Sequence, residues 1–233
     1  MTTSEVTVHI ERNINNRLVM LELDIETYRQ WKPGSFLQLS LTNKSASEPW
    51  LDSRAFSFAS WGSRSARILV RIEGAFTSKL FSLANAGFKT TVRYPFGDFL
   101  FASNKKKIFL AGGAGVSVFL SYLDFLNSVK ANNIDLLIVH STKEISEQIS
   151  NIYKREIPNG VKIIPIVTNS SSPSHSLRFD INQLRTVVPN MENREFFICG
   201  PKEFNDYWAT ELSKIGLSYR VEQWVKNARE MDR

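Results

Sequence analysis

Through the first part of the chain, apolar residues alternate with polar ones or form short runs broken by Gly, Pro, Asn or Ser. The segments VTVHIERN (6–13), RLVMLELDI (17–25), SFLQLSL (35–41), AFSFASW (55–61), ARILVRIEG (66–74), KTTVRYPFG (89–97) and DFLF (98–101) all follow this pattern. A period of two marks strands with one face on a core. So many short strands at close spacing predict an antiparallel barrel or sandwich. One interruption, over 77–86, places Leu80, Phe81 and Leu83 on a partial helical face.

The rhythm changes after Lys105-Lys106-Lys107. An apolar strand, KIFLAG, runs through a glycine turn into VSVFLSYLDFLNSVK, where Val116, Phe119, Leu120, Leu123 and Leu126 keep helical spacing. Strand and helix then alternate: DLLIVHS, a polar helix over 143–156, VKIIPIVTN, a helix over 180–186, EFFICG, a helix over 202–216, and a last strand SYRVEQW. This repetition predicts a doubly wound parallel sheet. The boundary is expected near 103–105, which divides the chain into a β-barrel domain over 1–103 and an α/β domain over 104–233. The serine-rich stretch 169–176 reads as a surface loop.

Composition agrees with two folded units. The chain has 233 residues, 42% hydrophobic and 22% charged, enough for two cores of ordinary globular character. Its one cysteine, Cys199, excludes an internal disulfide and an iron–sulfur cluster held by four thiolates of this chain. No metal site is expected. The first residues lack a basic stretch followed by an apolar one, and no apolar run approaches the roughly 20 residues that cross a bilayer. The expectation is therefore a cytoplasmic protein without a membrane span. The net charge of +6 thickens at Lys105–Lys107 and over 226–233, which suits an acidic protein or an anionic cofactor. Nucleic-acid binding is not expected, because no basic stripe with interleaved aromatics is present.

Four short motifs carry candidate chemistry. Gly112-Gly113-Ala114-Gly115 joins a predicted strand to a predicted helix, where amides without side chains in the way can approach a phosphate. Taken alone, a tight turn of any doubly wound sheet has the same composition. The acidic residue that usually ends the second strand of a dinucleotide fold is absent. His140-Ser141-Thr142-Lys143 stands there instead, a set of donors with one cation that favours NADPH as a hypothesis and leaves NADH open. Cys199-Gly200-Pro201 closes a later strand and, in a parallel sheet, is expected to face the same crevice as the glycine turn. In the β-rich half, Arg54-Ala55-Phe56-Ser57 and Gly74-Ala75-Phe76-Thr77-Ser78 offer a cation, a flat ring, hydroxyls and exposed amides, the parts of a phosphate and heterocycle site.

In this order, these motifs resemble the ferredoxin-NADP reductase superfamily over nearly the whole chain. Arg54-Ala55-Phe56-Ser57 is similar to its R-x-Y-S flavin motif and Gly74–Thr77 to its phosphate-binding G-x-x-S/T. Tyr94-Pro95-Phe96-Gly97 is similar to G-P-Y/F-G, and 112–117 to G-G-T/I-G-I-T/A. Cys199-Gly200-Pro201 and Glu222-Gln223-Trp224 complete the set. The resemblance implies bound FAD, or FMN, and NADPH or NADH as co-substrate. Arg54 would then pair with the flavin phosphates, Phe56 would pack on the isoalloxazine beside Ala55, and Ser57 would hydrogen-bond near N5. Gly74, Phe76, Thr77 and Ser78 would hold the pyrophosphate. Gly112, Gly113, Gly115 and Val116 would cradle the nicotinamide nucleotide, with Ser141 and Lys143 on its adenosine side. Cys199, Gly200 and Pro201 would bring the nicotinamide to the flavin, and Glu222 and Trp224 would finish the pocket. Ser57, Cys199 and Glu222 are the candidate catalytic residues, as positioning groups for hydride transfer. The implied acceptor is a separate ferredoxin, flavodoxin or oxygenase component. Phe56 in place of tyrosine also resembles reductases that use flavin as a diffusing substrate, and a non-catalytic binding subunit is a further alternative.

Overall fold

The structure, a computed structural model, describes residues 1–99, 106–168, 179–188 and 190–222. The expected boundary at 103–105, the loop 169–176, Trp224 and the basic stretch 226–233 lie outside these residues. The chain forms two compact units. Among the described residues, the first comprises 1–99 and Ser117–Phe125, and the second comprises 106–116 and those from Leu126 to Glu222.

The first unit is a six-stranded antiparallel sheet of β1 (Thr2–Asn13), β2 (Leu18–Ile25), β3 (Phe36–Leu39), β4 (Arg54–Ser57), β5 (Ser65–Arg71) and β6 (Phe88–Phe96). Its spatial order is β4-β3-β6-β1-β2-β5. A bridge between Phe58 and Ile68 joins the run after β4 to β5 and nearly closes the sheet into a barrel. Closure removes the unpaired edges that would otherwise invite aggregation. The period of two is realised inside: Val6 and Val8, Leu21 and Leu23, Leu37 and Leu39, Ile68 and Val70, and Val92 and Tyr94 all enter one core. Trp31 plugs it, stacked on Phe58 at 4.2 Å, with its indole N–H donating to Ser60 O at 2.9 Å. Tyr94 hydroxyl donates to Thr27 O and accepts from Arg29 N–H, and burial pushes its pKa up. Helix α1 (Ala75–Ala86), between β5 and β6, buries Leu80 and Ala84 against this core.

Ser117–Phe125 also belongs to the first unit. There Arg67 Nη2 donates to Asp124 Oδ2 at 2.8 Å, Gly34 N–H donates to Ser121 Oγ at 3.3 Å, and the Trp61 and Phe125 rings meet edge to face at 5.1 Å. The Asp124 carboxylate is wholly buried in that pair. Taking away its guanidinium would leave an uncompensated buried charge.

The second unit is a parallel sheet of β7 (Lys106–Gly112), β8 (Leu136–Thr142), β9 (Val161–Val167), β10 (Arg194–Cys199) and β11 (Tyr219–Glu222), in the order β11-β10-β7-β8-β9. A 3-10 turn, Gly113–Val116, leads from β7 into helix α2 (Ser117–Ser128). Helix α3 (Ile149–Ile152), α4 (Ile181–Val187) and α5 (Lys202–Lys214) follow β8, β9 and β10. Ile108, Leu110, Leu137, Val139, Phe196 and Ile198 form one apolar face with Leu184 of α4 and Trp208 and Leu212 of α5. α4 starts on a capping box in which Asp180 and Gln183 satisfy each other's backbone amides.

Two elements differ from the sequence pattern. The helix expected over 143–156 is a 3-10 turn at Ile145–Glu147 and a single turn, α3, because polar groups of this stretch bond back to the sheet instead of continuing a helix. Thr142 Oγ1 donates to Glu144 O, and Gln148 Nε2 donates to Thr142 Oγ1 and Ile166 O. The strand expected at DFLF is not formed by Asp98 or Phe99: Gly97, at φ 74°, turns the chain off β6, and Phe99 packs its ring 6.2 Å from that of Phe119.

Candidate functional site

In the first unit, β4 and the start of α1 bring Arg54, Phe56 and Phe76 together. The Arg54 guanidinium lies 5.2 Å from the centroid of the Phe76 ring, and Phe56 and Phe76 are 6.3 Å apart. Arg54 donates to Ser53 O at 2.8 Å, and among the described residues no carboxylate pairs with it. Gly74 caps α1 without a side-chain hydrogen bond, so the amides of the first turn have no cap acceptor. Its φ of 82° and ψ of 174° are open in practice only to glycine, and an added Cβ there would meet nothing within 4 Å. The Thr77 hydroxyl is engaged locally, accepting from Glu73 N–H at 2.7 Å and donating to Glu73 O at 2.8 Å. Ser78 is exposed, its amide spent on Gly74 O. Ala55 is half-buried and Ser57 buried, opposite Phe36 in the ladder of β3 and β4. A guanidinium with no carboxylate partner among the described residues, aromatic faces and an uncapped helix start suit a flat heterocycle with a phosphate tail.

The second unit builds its candidate site from backbone. After β7 the chain moves outward through β8 and β9, then returns so that β10 pairs with β7 on the other side. Such a reversal opens a crevice at the carboxyl ends of the two diverging strands. The turns that follow these strands are Gly112–Gly115 and Cys199–Pro201. They are packed backbone to backbone: a Cβ on Gly115 would fall 2.2 Å from Cys199 O, and one on Gly200 would fall 3.0 Å from Gly112 Cα. Gly112 is closed off by the Phe204 ring, which a Cβ would approach to 2.9 Å. Cys199 and Val116 are fully buried, Gly113 is half-exposed at φ 53°, and Pro201 is exposed as the cap of α5.

His140 does not point outward as the donor set at the end of β8 led us to expect. It is completely buried, with Nε2 2.9 Å from Gly113 O and Nδ1 accepting from Ile149 N–H at 3.0 Å. The Thr142 hydroxyl is likewise turned inward to Glu144 O, so Ser141 and Lys143 are the members of that set with exposed surface. Glu222 is half-buried and in register with Cys199, and its carbonyl accepts from Asn205 Nδ2 at 3.0 Å. Asn205 and Gln148, which the sequence did not single out, each keep one buried amide oxygen that has no partner among the described residues, beside the carboxyl ends of the sheet. In α5 and in the stretch after β8 they carry no signal that separates them from surface polar residues. Among the described residues no cluster of side chains could hold a metal ion.

No protein-family model matches the chain. Its sequence is 29% identical over 166 residues to the F subunit of the Na(+)-translocating NADH-quinone reductase of Chlamydia muridarum, a stretch that takes in 62% of this chain and 37% of that relative. The structure is similar to a Neisseria gonorrhoeae ferredoxin NADP+ reductase with bound FAD and NADP (TM-score 0.73, 18% identity, 95% of this chain and 98% of that one). It is also similar to the flavohem-like FAD/NAD-binding domain of nitric oxide dioxygenase from Vibrio cholerae O1 biovar El Tor (TM-score 0.72, 16% identity, 93% and 97%). The chain has the ferredoxin-NADP reductase-like fold. Its near-closed antiparallel barrel and its parallel sheet are the two parts expected of that fold. Among the described residues no helix is long and apolar enough to cross a membrane.

Proposed function

We propose that the chain is a flavin-dependent oxidoreductase that takes hydride from NADPH or NADH and passes the electrons to a separate acceptor. The observation that carries this reading is the Arg54 guanidinium, without a carboxylate partner among the described residues and set over Phe76 beside the uncapped start of α1. In this reading Arg54, the amides from Ala75 to Thr77 and the Ser78 hydroxyl hold the FAD or FMN phosphates, Phe56 packs on the ring system, and Ser57 hydrogen-bonds at its edge. Bound flavin supplies the two-electron chemistry. The protein's task is to position and to exclude water, so neither a general base nor a metal is required. Gly112, Gly113, Gly115 and Val116 receive the nicotinamide nucleotide, and Ser141 and Lys143 face its adenosine side. Cys199, Gly200, Pro201, Glu222 and Trp224 shape the nicotinamide end, with the flavin domain at 1–103 and the nucleotide domain at 104–233. The buried Cys199 acts through shape, since its thiol is fully enclosed.

The net charge of +6 supports an acidic acceptor such as a ferredoxin, a flavodoxin or an oxygenase component, in the cytoplasm. A second reading, release of reduced flavin as a product, is favoured by Phe56, whose ring brings no hydroxyl to hold the cofactor. Absorption spectra of the purified protein before and after NADPH and NADH test both. Bound flavin that either nucleotide bleaches is expected. A colourless protein that oxidises the nucleotide only with added flavin moves the case to the second reading, and absence of turnover in every combination overturns both.

A further inference from the structure

We propose that His140 is the positioning residue of the glycine turn: a buried, neutral imidazole that fixes one peptide plane so that its amide faces a dinucleotide phosphate. The inference rests on the nucleotide reading of the second unit and adds a residue to it. Nδ1 accepts from the Ile149 N–H at 3.0 Å, so it carries no proton. The single ring proton is therefore on Nε2, which donates to Gly113 O at 2.9 Å. The peptide between Gly113 and Ala114 is planar, and in a trans peptide the carbonyl and the following N–H point to opposite sides. Drawing the Gly113 carbonyl down onto the imidazole thus turns the Ala114 N–H away from it, at the start of the 3-10 turn where amides have no intrahelical acceptor. The left-handed φ of Gly113, 53°, is what lets its carbonyl turn that way.

The same ring also secures the stretch after β8. Gln148, at the cap position of α3, provides no side-chain cap, and His140 Nδ1 takes that place for Ile149. One side chain therefore ties two segments to the carboxyl end of β8: the glycine turn through Nε2, and α3 through Nδ1. The two ties can be cut separately. In His140→Gln the amide nitrogen lies near the position of Nε2 and can still donate to Gly113 O. In His140→Asn the amide oxygen lies near Nδ1 and can still cap α3, but no donor reaches Gly113.

The test is calorimetric titration of NADP+ and NAD+ into the flavin-loaded protein and these variants, with flavin affinity measured in parallel. His140→Asn is expected to weaken dinucleotide binding about tenfold, the value of one lost hydrogen bond. His140→Gln is expected to keep most of the affinity, and flavin affinity is expected to stay unchanged in both. Equal dinucleotide affinity in wild type and His140→Asn overturns the proposal, as does a parallel loss of flavin affinity. A wild type that binds flavin but neither dinucleotide instead removes the nucleotide reading itself. Should the variants not fold, 15N spectra of the wild-type imidazole decide: a proton on Nε2, with the Ala114 amide resonance shifting when NADP+ is added, is expected. A ring protonated at Nδ1 overturns the assignment.

Discussion

Glycine has opposite meanings in the two units. Gly74, in the first, faces open space and is required by its torsion angles, whereas Gly115, in the second, has no room for one more atom. In the function proposed, the first unit offers half-buried side chains to a ligand, namely Arg54, Phe56 and Phe76. The second presses two turns together backbone to backbone, so that the glycine turn itself has amides and no side chains to offer. A site of the first kind can lose its ligand and keep its fold. In the second kind, recognition and folding depend on the same atoms.

Substitutions at these positions break or sharpen that contrast. The largest effect is expected for Gly115→Ala, because the methyl would lie 2.2 Å from a carbonyl oxygen of the chain and not against a side chain that can swing away. Overpacking on this scale costs about 3 kcal/mol, or a melting temperature lower by roughly 10 °C, with dinucleotide binding lost alongside. A melt within a degree or two of wild type would show that the two turns separate easily. Next comes Arg54→Ala, expected to weaken flavin binding by roughly tenfold to a hundredfold, as for a lost charge-assisted hydrogen bond. The melting temperature of the flavin-free protein should barely move. Unchanged flavin affinity there would remove Arg54 from the site. The smallest effect is expected for Gly74→Ala, which meets no neighbour yet places a Cβ in a backbone region that costs about 1 to 2 kcal/mol. Calorimetric melts of Gly74→Ala and Gly115→Ala compare strain with collision directly, and a greater loss at Gly74 would reverse the reading of the two glycines.

The parts that were legible in the sequence are those whose period repeats. Leu21 and Leu23 or Val92 and Tyr94 mark a strand face two residues at a time, and the run from Val116 to Leu126 marks a helix, because each position repeats information carried by its neighbours. Single polar residues carry no such redundancy. His140 ends an apolar strand and reads as a donor for a ligand, yet the period of two sets it on the same face as Ile138, inside. Glu144 and Gln148 belong to a stretch that reads as helical, but their bonds to Thr142 and Ile166, formed only once β8 and β9 are paired, keep it to one turn. The glycines were found, but the reason for three of them was not. Gly112, Gly115 and Gly200 are demanded by the packing of the two turns and by the Phe204 ring, a requirement that their composition alone does not reveal.

The central strand of the parallel sheet, β7, receives its second neighbour only when β10 arrives, after β8, α3, β9 and α4 have all been made. A chain still emerging from the ribosome thus holds Gly112–Gly115 with one flank bare, and no Cys199 to lean on, until β10 has been made. A stop codon falling after β9 and before Arg194 leaves that half-crevice permanently, with the edge of β7 that β10 would cover unsealed.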